Sequence, residues 1–496
     1  MPEPASSTLE DIARALSAKV PEWARATVPT GITYDSRKVG PGYLFCCIPG
    51  AVTDGHLFAP EAVAAGATAL ITERALDLGV VELTVPDARS GAALAAATFY
   101  GNPADELLML GVTGTNGKTT TAFMLESIVR AEGRSAGLIG TIETHVGDQV
   151  RAGVRTTPES VDLHALLAEM VAADVTAVAM EVTSHALSLH RVDGIRFAAV
   201  GFTNLSQDHL DFHAGMEDYF EAKRSLFTTE RAEKGAVNVD DPYGQRLLSE
   251  SEIPCVGFGI NGSAEIVATD IEMQPTESRF VIRTPKGDVS VRTPLVGGFN
   301  VYNCLAAAAL ALQAGISLDA IERGLQDLRA VPGRFESIDA GQPFAVVVDY
   351  AHTPDSLDNV LRAARDVATR SGGRVLCVFG AGGDRDRAKR PLMGSVAARL
   401  ADYVVVTSDN PRSEEPFSII DQILEGVLAE APNGPDAVMV DRTEAIGTAV
   451  AEARSGDIVV IAGKGHETGQ EFATETVPFD DRDVARAALG AAGWGT

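Results

Sequence analysis

Short, nearly continuous apolar runs alternate along this chain with longer stretches in which apolar residues recur at helical spacing. That alternation predicts strands separated by helices. Up to about Asn102, brief apolar runs at 43–48, 69–72 and 80–85 mix with alanine-rich helical stretches such as 61–65, the pattern of a small α/β unit. Asn102-Pro103 is a turn signal, and beyond it the order becomes apolar strand, glycine turn, long amphipathic helix. A strand at 107–112 precedes a helix at 118–131, and a helix at 160–172 precedes a strand at 176–181. After Val331-Pro332-Gly333 come four apolar strands, at 344–348, 374–379, 403–407 and 458–462, with helices between them. Strands alternating with helices imply parallel sheets with crossover helices. The last segment reads as a doubly wound unit whose working loops leave the carboxyl ends of its strands. No internal repeat or low-complexity tract interrupts the pattern.

Length agrees with this division. At roughly 150 residues per domain, 496 residues hold about three domains, placed at 1–102, 103–331 and 332–496. Apolar residues at 45% and charged residues at 22% are ordinary globular values, but 41 basic against 68 acidic residues leave a net charge of -27. That field argues against binding to nucleic acid or to an anionic membrane. It requires any polyanionic ligand to be small and held by a local site. The five cysteines (Cys46, Cys47, Cys255, Cys304, Cys377) form no C-x-x-C pair and read as reduced thiols. The first twenty residues carry no basic n-region, and the longest apolar run, at 304–312, is far short of the ~20 residues that span a bilayer. A cytoplasmic protein is expected.

The strongest chemical signal is Gly111-Val112-Thr113-Gly114-Thr115-Asn116-Gly117-Lys118-Thr119-Thr120, which follows an apolar strand and opens a helix. Glycines let backbone N–H groups turn inward on a polyphosphate, and the helix N-terminus adds positive potential. Lys118 supplies a point charge, and a threonine hydroxyl can join Mg²⁺. Val112 stands where the usual phosphate-loop string has its first glycine. ATP or GTP binding is the inference. Glu181, ending an apolar strand in Glu181-Val182-Thr183-Ser184-His185, is either a metal-binding carboxylate or a capping, solvated strand end. Asn204-Leu205-Ser206-Gln207-Asp208-His209-Leu210-Asp211-Phe212-His213 invites a zinc reading, but no cysteine is near and the H-x-x-x-H spacing is missing. His209 is the better candidate for a contact near phosphate or metal, while His213 fits a loop-stabilising role.

Asn300 and Asn303, three apart on one face of an alanine-rich helix, either cap that helix or read a base edge. Arg334 and Asp349-Tyr350-Ala351-His352 lie where they could face an interdomain cleft. In the last segment, 380–387, 408–412 and 463–467 each follow a strand directly. They bring Arg385, Arg412, Lys464 and Glu467 toward one sheet edge. Singly these are ordinary surface ion-pairing residues. Together they suit a zwitterionic ligand, with guanidinium forks for carboxylates and Glu467 for an ammonium.

With these segments in view the whole chain resembles the Mur ligases, most closely the type that adds diaminopimelate. The resemblance is carried in order by Asp35-Ser36-Arg37, GTNGKTT, EVTSHAL, NLSQDHLDFH with Lys223, GGFNVYN, PGRFE, DYAHTPDS, GGDRDRAKRP, DNPR and GKGHE. It implies three α/β domains: an N-terminal UDP-sugar-binding domain, a central phosphate-loop ATPase domain and a C-terminal Rossmann-like domain. It further implies a cytoplasmic, monomeric ligase of peptidoglycan precursor synthesis. Such an enzyme uses ATP and Mg²⁺ to join meso-diaminopimelate to the D-glutamyl residue of UDP-N-acetylmuramoyl-L-alanyl-D-glutamate through an acyl phosphate. In-line transfer between two anions needs charge neutralisation and positioning more than a protein nucleophile.

Residue by residue, the resemblance gives Gly114, Thr115, Asn116, Gly117, Lys118, Thr119 and Thr120 to the phosphates. Thr119, Glu181 and His209 go to Mg²⁺, together with Lys223, which is carbamylated in the family and so becomes an anion. Lys118, Glu181, His209 and Lys223 form the catalytic set, and Asn300, Asn303, Arg334 and Asp349 would contact the nucleotide. Tyr34, Ser36, Ala51, Val52 and Thr53 match positions holding the UDP sugar. Thr156, Thr157, Thr183 and Arg191 match positions holding the muramoyl peptide, although Arg155 and Leu189 stand where asparagine and glutamine are expected. Asp409-Asn410-Pro411-Arg412 looks like the diaminopimelate signature, with Arg385, Gly463 and Glu467 completing the amino-acid site. Diaminopimelate carries a second carboxylate for Arg412 and lysine has none. A buried arginine left unpaired by lysine would cost several kcal/mol, enough for roughly 10⁴-fold rejection. The alternatives are the same ligase using L-lysine, or a ligase like folylpolyglutamate synthase. A nucleotide-regulated binding protein is disfavoured by the intact set of Lys118, Glu181, His209 and Lys223.

Overall fold

The computed structural model describes residues 7–495 apart from 51–52, 211, 263 and 275–276. Three main sheets follow one another along the described chain. The first has four parallel strands, Gly31–Thr33, Tyr43–Cys46, Ala69–Thr72 and Val81–Thr84. The helix Ala88–Phe99 covers it with a face made almost wholly of buried alanines. Asp87 opens that helix by accepting from the backbone N–H groups of Arg89 and Ser90.

The second sheet has Leu108–Thr113 near its middle, parallel to Ala199–Phe202 on one side and Ala177–Glu181 on the other. Both faces of this strand are covered, which is why it reads as a continuous apolar run instead of an alternating one. The helices Lys118–Ala131 and Gly298–Gln313 pack on one face, around Leu110 and Val112. The helix Ser160–Ala172 and the aromatic residues Phe197, Phe202, Tyr219 and Phe220 pack on the other. Each fully buried aliphatic or aromatic side chain contributes ~1.5–3 kcal/mol.

The expected parallel sheet with crossover helices holds in the middle and gives way to antiparallel pairs at both edges. Ile266–Met273, Ser278–Thr284 and Gly287–Thr293 form an antiparallel meander. Glu143–Val146 and Gln149–Ala152 form an antiparallel hairpin turning at Gly147. No helix intervenes in either stretch, so the connections are too short for a crossover and the strands must reverse. The meander's exposed and buried residues alternate, as a one-sided edge requires.

The third sheet runs in the order Glu336–Ser337, Ala345–Asp349, Ile458–Ala462, Val375–Phe379, Tyr403–Thr407, Ala437–Met439 and is parallel except for its first pair. Helices lie on both faces, around Cys377 and Val460 on one and Val378 and Val459 on the other. This sheet's carboxyl-edge loops and, from the second segment, His185, Asp208 and His209 line a shared cavity of about 360 Å³. All five cysteines are free, and no described helix is long and apolar enough to cross a membrane.

Candidate active site

Register places the phosphate loop. Val112 pairs with Glu181 and Thr113 with Phe202, so the loop leaves the central strand exactly where both neighbouring strands end. Two glycines are required by space. Gly114 has a φ of 149°, and a Cβ there would collide with Thr203 Oγ1; Gly117 has a φ of 87°, and a Cβ there would collide with Asn303 Oδ1. The loop is tied down from the next strand end. Thr115 N and Asn116 N donate to the backbone and side-chain oxygens of Asn204, both at 2.9 Å, and Thr203 Oγ1 donates to the Asn116 carbonyl. Gly117 has no side chain to cap the helix Lys118–Ala131, which leaves the helix's first N–H groups for an anion. Lys118 Nζ folds over the loop, donating to the Gly114 and Thr115 carbonyls at 2.9 Å. Burial lowers its pKa, with Glu181 and Asp208 opposing that shift. Thr119 and Thr120 are buried in the helix's first turn. This cradle fits a polyphosphate.

Glu181 is neither a cap nor a solvated strand end. It is 1% exposed and accepts from Thr119 Oγ1 at 3.0 Å and from Thr141 N and Oγ1 at 2.8 and 3.1 Å. A hydroxyl and a carboxylate so close suit Mg²⁺, which prefers oxygen, takes one or two protein ligands and leaves its other positions to phosphate and water. Among the described residues no group of three His, Cys, Asp or Glu side chains is arranged to hold a metal by itself. His209 stands at the cavity wall, its ring 4.8 Å from that of His185 and beside Asp208. Desolvation lowers its pKa to about 4 despite Asp208, so the imidazole is neutral near pH 7. His213 is buried, with Asp218 on one ring nitrogen and Ser184 on the other. Lys223 is wholly buried: Nζ donates to the Gly114 carbonyl at 2.8 Å and lies 4.7 Å over the Tyr219 ring. Burial, reinforced by Lys118, drives its pKa far below the usual lysine range.

The helix carrying Asn300 begins two residues earlier, at Gly298, so Asn300 is not its cap. Its amide donates to the Val296 carbonyl and accepts from Asn303 Nδ2, which sets Asn303 Oδ1 against Gly117. Arg334 crosses from the third segment: Nη2 donates to Thr119 Oγ1 at 3.2 Å, and the guanidinium lies 4.4 Å over the Tyr350 ring. Asp349 is buried and accepts from Phe335 N and Ala351 N, both at 2.7 Å. Burial pushes its pKa up to about 6, against the pull of Arg334.

Across the cavity, the loops after Phe379, Thr407 and Ala462 converge as strand order requires. Lys464 is fully buried, and Nζ donates to Asn410 Oδ1 at 2.8 Å and to Glu467 Oε2 at 3.1 Å. Asn410 Nδ2 also donates to Glu467. Asp409 offers its carbonyl to Gln470 and sets its carboxylate against Gly463. Arg385 is exposed and donates to the Asp384 carbonyl. Arg412 follows Pro411 with a φ of 51°, and it is not the buried, otherwise unpaired cation assumed for rejecting lysine. Its side chain is 23% exposed, its Nε meets Glu471 Oε2 at 2.7 Å, and its Nη1 donates to the Gly383 carbonyl.

The remaining candidates lie on the first and second sheets. Thr156 meets Thr141, Thr157 donates to the Glu181 carbonyl, and Thr183 caps the helix Ser184–Ser188. Arg191 donates to the Thr157 carbonyl and pairs with Glu159, which Arg155 also engages. Thr156 is linked to Glu181 through Thr141, and Arg191 through Thr157. Tyr34 lines a separate cavity of about 830 Å³ and donates to Asp162 at 2.6 Å. Ser36 approaches Glu61 and Thr53 accepts from Gly50 N, while Ala51 and Val52 lie outside the described residues. Sequence reasoning assigned no role to Thr141 or Asp355. Asp355 accepts from Asn116 Nδ2 at 2.7 Å and Ser206 Oγ at 3.1 Å, binding the third segment to the phosphate loop. Its position directly after the strand-end motif Asp349 to His352 was the available signal.

A phosphate loop with an acidic residue at the neighbouring strand end, facing a second sheet whose loops carry cations for carboxylates, defines a nucleotide-dependent ligase class. The Mur ligase descriptions match along the chain: the family catalytic domain at residues 29–102, the middle domain at 112–311 and the glutamate ligase domain at 333–465. The chain is 47% identical over 502 residues to the UDP-N-acetylmuramoyl-L-alanyl-D-glutamate--2,6-diaminopimelate ligase of Streptomyces avermitilis, covering 98% of each. It is 48% identical to the enzyme of the same name from Geobacillus kaustophilus, covering 92% of this chain and 94% of that one. A solved structure of a ligase of that name superposes with a TM-score of 0.69 at 31% identity, over 98% of this chain and 99% of that one. The chain belongs to the Mur ligase family.

Proposed function

We propose that this protein adds meso-diaminopimelate to the D-glutamyl residue of UDP-N-acetylmuramoyl-L-alanyl-D-glutamate, hydrolysing ATP to ADP and phosphate, in peptidoglycan precursor synthesis. The observation that carries this is the convergence of Arg412, Asn410 and Glu467 with Asp208 and His209 on one cavity, in a segment that Arg334 and Asp355 tie to the phosphate loop. Relatives sharing nearly half of its residues over almost the whole chain bear the corresponding name. In this reading segments 1–102, 103–331 and 332–496 hold, respectively, the UDP sugar, the nucleotide and the incoming amino acid.

The 114–120 loop and Lys118 hold the phosphates of ATP, while Asn300, Asn303, Arg334 and Asp349 hold the rest of the nucleotide. Thr119 and Glu181 hold Mg²⁺, with His209 and a carbamylated Lys223 serving a further ion. When bound, Mg²⁺ offsets the charge of the phosphates, so that an anionic carboxylate can approach the γ-phosphorus. The substrate carboxylate takes the γ-phosphoryl group, ADP leaves, and the amine displaces phosphate from the acyl phosphate. Lys118 and the helix N-terminus stabilise the oxyanions at both stages. Thr156, Thr157, Thr183 and Arg191 orient the peptide. Tyr34, Ser36 and the 51–53 loop hold the UDP sugar. Arg385, Asp409, Asn410, Pro411, Arg412, Gly463 and Glu467 receive diaminopimelate, its distal carboxylate on Arg412 and an ammonium on Glu467. The protein acts as a cytoplasmic monomer without a nucleic-acid or membrane partner.

The test is phosphate release with ATP, Mg²⁺ and UDP-N-acetylmuramoyl-L-alanyl-D-glutamate, comparing meso-diaminopimelate with L-lysine at equal concentration. Release with diaminopimelate far exceeding that with lysine is expected. Equal or greater release with lysine would overturn the assignment of Arg412, and release with neither would overturn the ligase reaction proposed.

A further inference from the structure

Arg442 does not line the cavity, yet it touches both of the loops that form its amino-acid side. It is the first residue of the helix Arg442–Glu452, and its side chain is entirely buried. Nε and Nη2 donate to the two carboxylate oxygens of Asp481, both at 2.7 Å, and Asp481 is equally buried. The outer faces of the fork go to two backbone carbonyls. Nη1 donates to Ser408 at 3.3 Å and Nη2 to Ala462 at 2.9 Å. Ser408 immediately precedes Asp409, and Ala462 immediately precedes Gly463.

A guanidinium is costly to bury, and a well-packed apolar pair is often no less stable than a buried ion pair. Stability alone does not call for this arrangement, whereas geometry does. Only a planar fork with several donors satisfies a carboxylate and two carbonyls from different strands at once. The strands Tyr403–Thr407 and Ile458–Ala462 are not neighbours, since Val375–Phe379 lies between them. The sheet ladder therefore never joins the two strand ends directly. Beyond the clamp the loops are cross-tied by Lys464 to Asn410 and by Gln470 to the Asp409 carbonyl. Gly463 leaves no room for error, because a Cβ there would collide with the Asp409 carboxylate.

We infer that Arg442, held by Asp481, is a positioning residue for the incoming amino acid: it sets the separation of the 409–412 and 463–467 loops and so the fit of the pocket between them. This deepens the proposed function and rests on it. The nucleotide cradle is made by other residues, so the effect falls on the amino acid and not on ATP.

The experiment is steady-state kinetics of the full-length protein with meso-diaminopimelate and ATP varied separately, for R442K and for the double variant R442M/D481L. The double variant removes both charges together and leaves no buried ion unpaired. In it the KM for diaminopimelate is expected to rise about tenfold or more, because small misplacements of binding groups are costly, while the KM for ATP stays within about twofold. R442K keeps the charge beside Asp481 and loses the bridge between carbonyls. Its KM for diaminopimelate should rise by a smaller factor, again with ATP unaffected, and it carries the test by itself if the double variant does not fold. An unchanged diaminopimelate KM in a folded variant, or a parallel rise in both constants, overturns the positioning role alone. Wild-type protein inactive with diaminopimelate overturns the functional reading and this role with it.

Discussion

Arg334 and Thr119 lie 215 residues apart in the chain, yet the arginine's Nη2 donates to the threonine's Oγ1 at 3.2 Å. The same threonine hydroxyl donates to Glu181, so one hydroxyl joins the third segment to the acidic strand end through the phosphate loop. A group crossing between segments at the nucleotide site is placed to sense or hold the nucleotide. R334A should therefore raise the KM for ATP by about tenfold or more, with a much smaller change in the KM for diaminopimelate. Separate titration of the two substrates checks this.

Glu181 holds its place through three donors, from Thr119 and Thr141. Glutamine retains the shape and one acceptor oxygen but not the charge that draws a divalent cation. E181Q is expected to reduce kcat by about a hundredfold or more and to raise the Mg²⁺ concentration for half-maximal rate. Mg²⁺ titration of the phosphate-release rate is the measurement. An unchanged Mg²⁺ dependence would remove Glu181 from the metal site.

Lys223 is buried beside a carbonyl and a second lysine, which favours its neutral amine. Carbon dioxide adds to a neutral amine, so the site is suited to carbamate formation. Depleting carbon dioxide should lower the rate and bicarbonate should restore it, whereas K223A should be slow in both conditions. The same burial has a consequence for stability. The native amine loses its proton at a lower pH than an unfolded lysine does. Between the two pKa values the unfolded chain binds more protons, and this group's contribution to stability rises with pH across that interval.

Asp349 shifts in the opposite sense. Its native pKa, pushed up to about 6 by burial, lies above the ordinary carboxylate value, so the folded state binds more protons between about pH 4 and pH 6. Its contribution to stability is complete below about pH 4 and is lost as pH rises through 6, a change of about 3 kcal/mol. D349N has no such titration. The unfolding free energy of the wild type minus that of D349N should fall over this range, as denaturant melts at several pH values would reveal. A flat difference would show that the carboxylate titrates normally.

Glu471 already compensates Arg412, so a lysine substrate forgoes a contact without stranding a bare buried cation. Discrimination against lysine should be nearer 10²-fold than the 10⁴-fold of a fully buried, unpaired arginine. R412A should accordingly raise the KM for diaminopimelate about a hundredfold while barely affecting the poor use of lysine. Competition between the two amino acids in one reaction measures this ratio.

The sequence determined the order of strands and helices, the phosphate loop and the strand-end loops, because each is a local matter of apolar runs, glycine placement and helix entry. The strand written at 107–112 and the helix at 118–131 correspond to Leu108–Thr113 and Lys118–Ala131. Such runs do not reveal which way a strand points, so the antiparallel edges of the second sheet were not legible until pairing was seen. Nor could spacing decide what Glu181 and Asn300 do. Only the fold showed the first to be buried against two threonines and the second to lie inside its helix. Thr141 and Arg442 were invisible as functional candidates for the same reason, and the motif containing Asp355 did not show what that residue binds. Their partners lie between 20 and 240 residues away in sequence, at Glu181, Asn116, Ser408 and Ala462. Which side chains meet across strand ends depends on sheet order and on the docking of one sheet against another, and those follow from packing the whole chain.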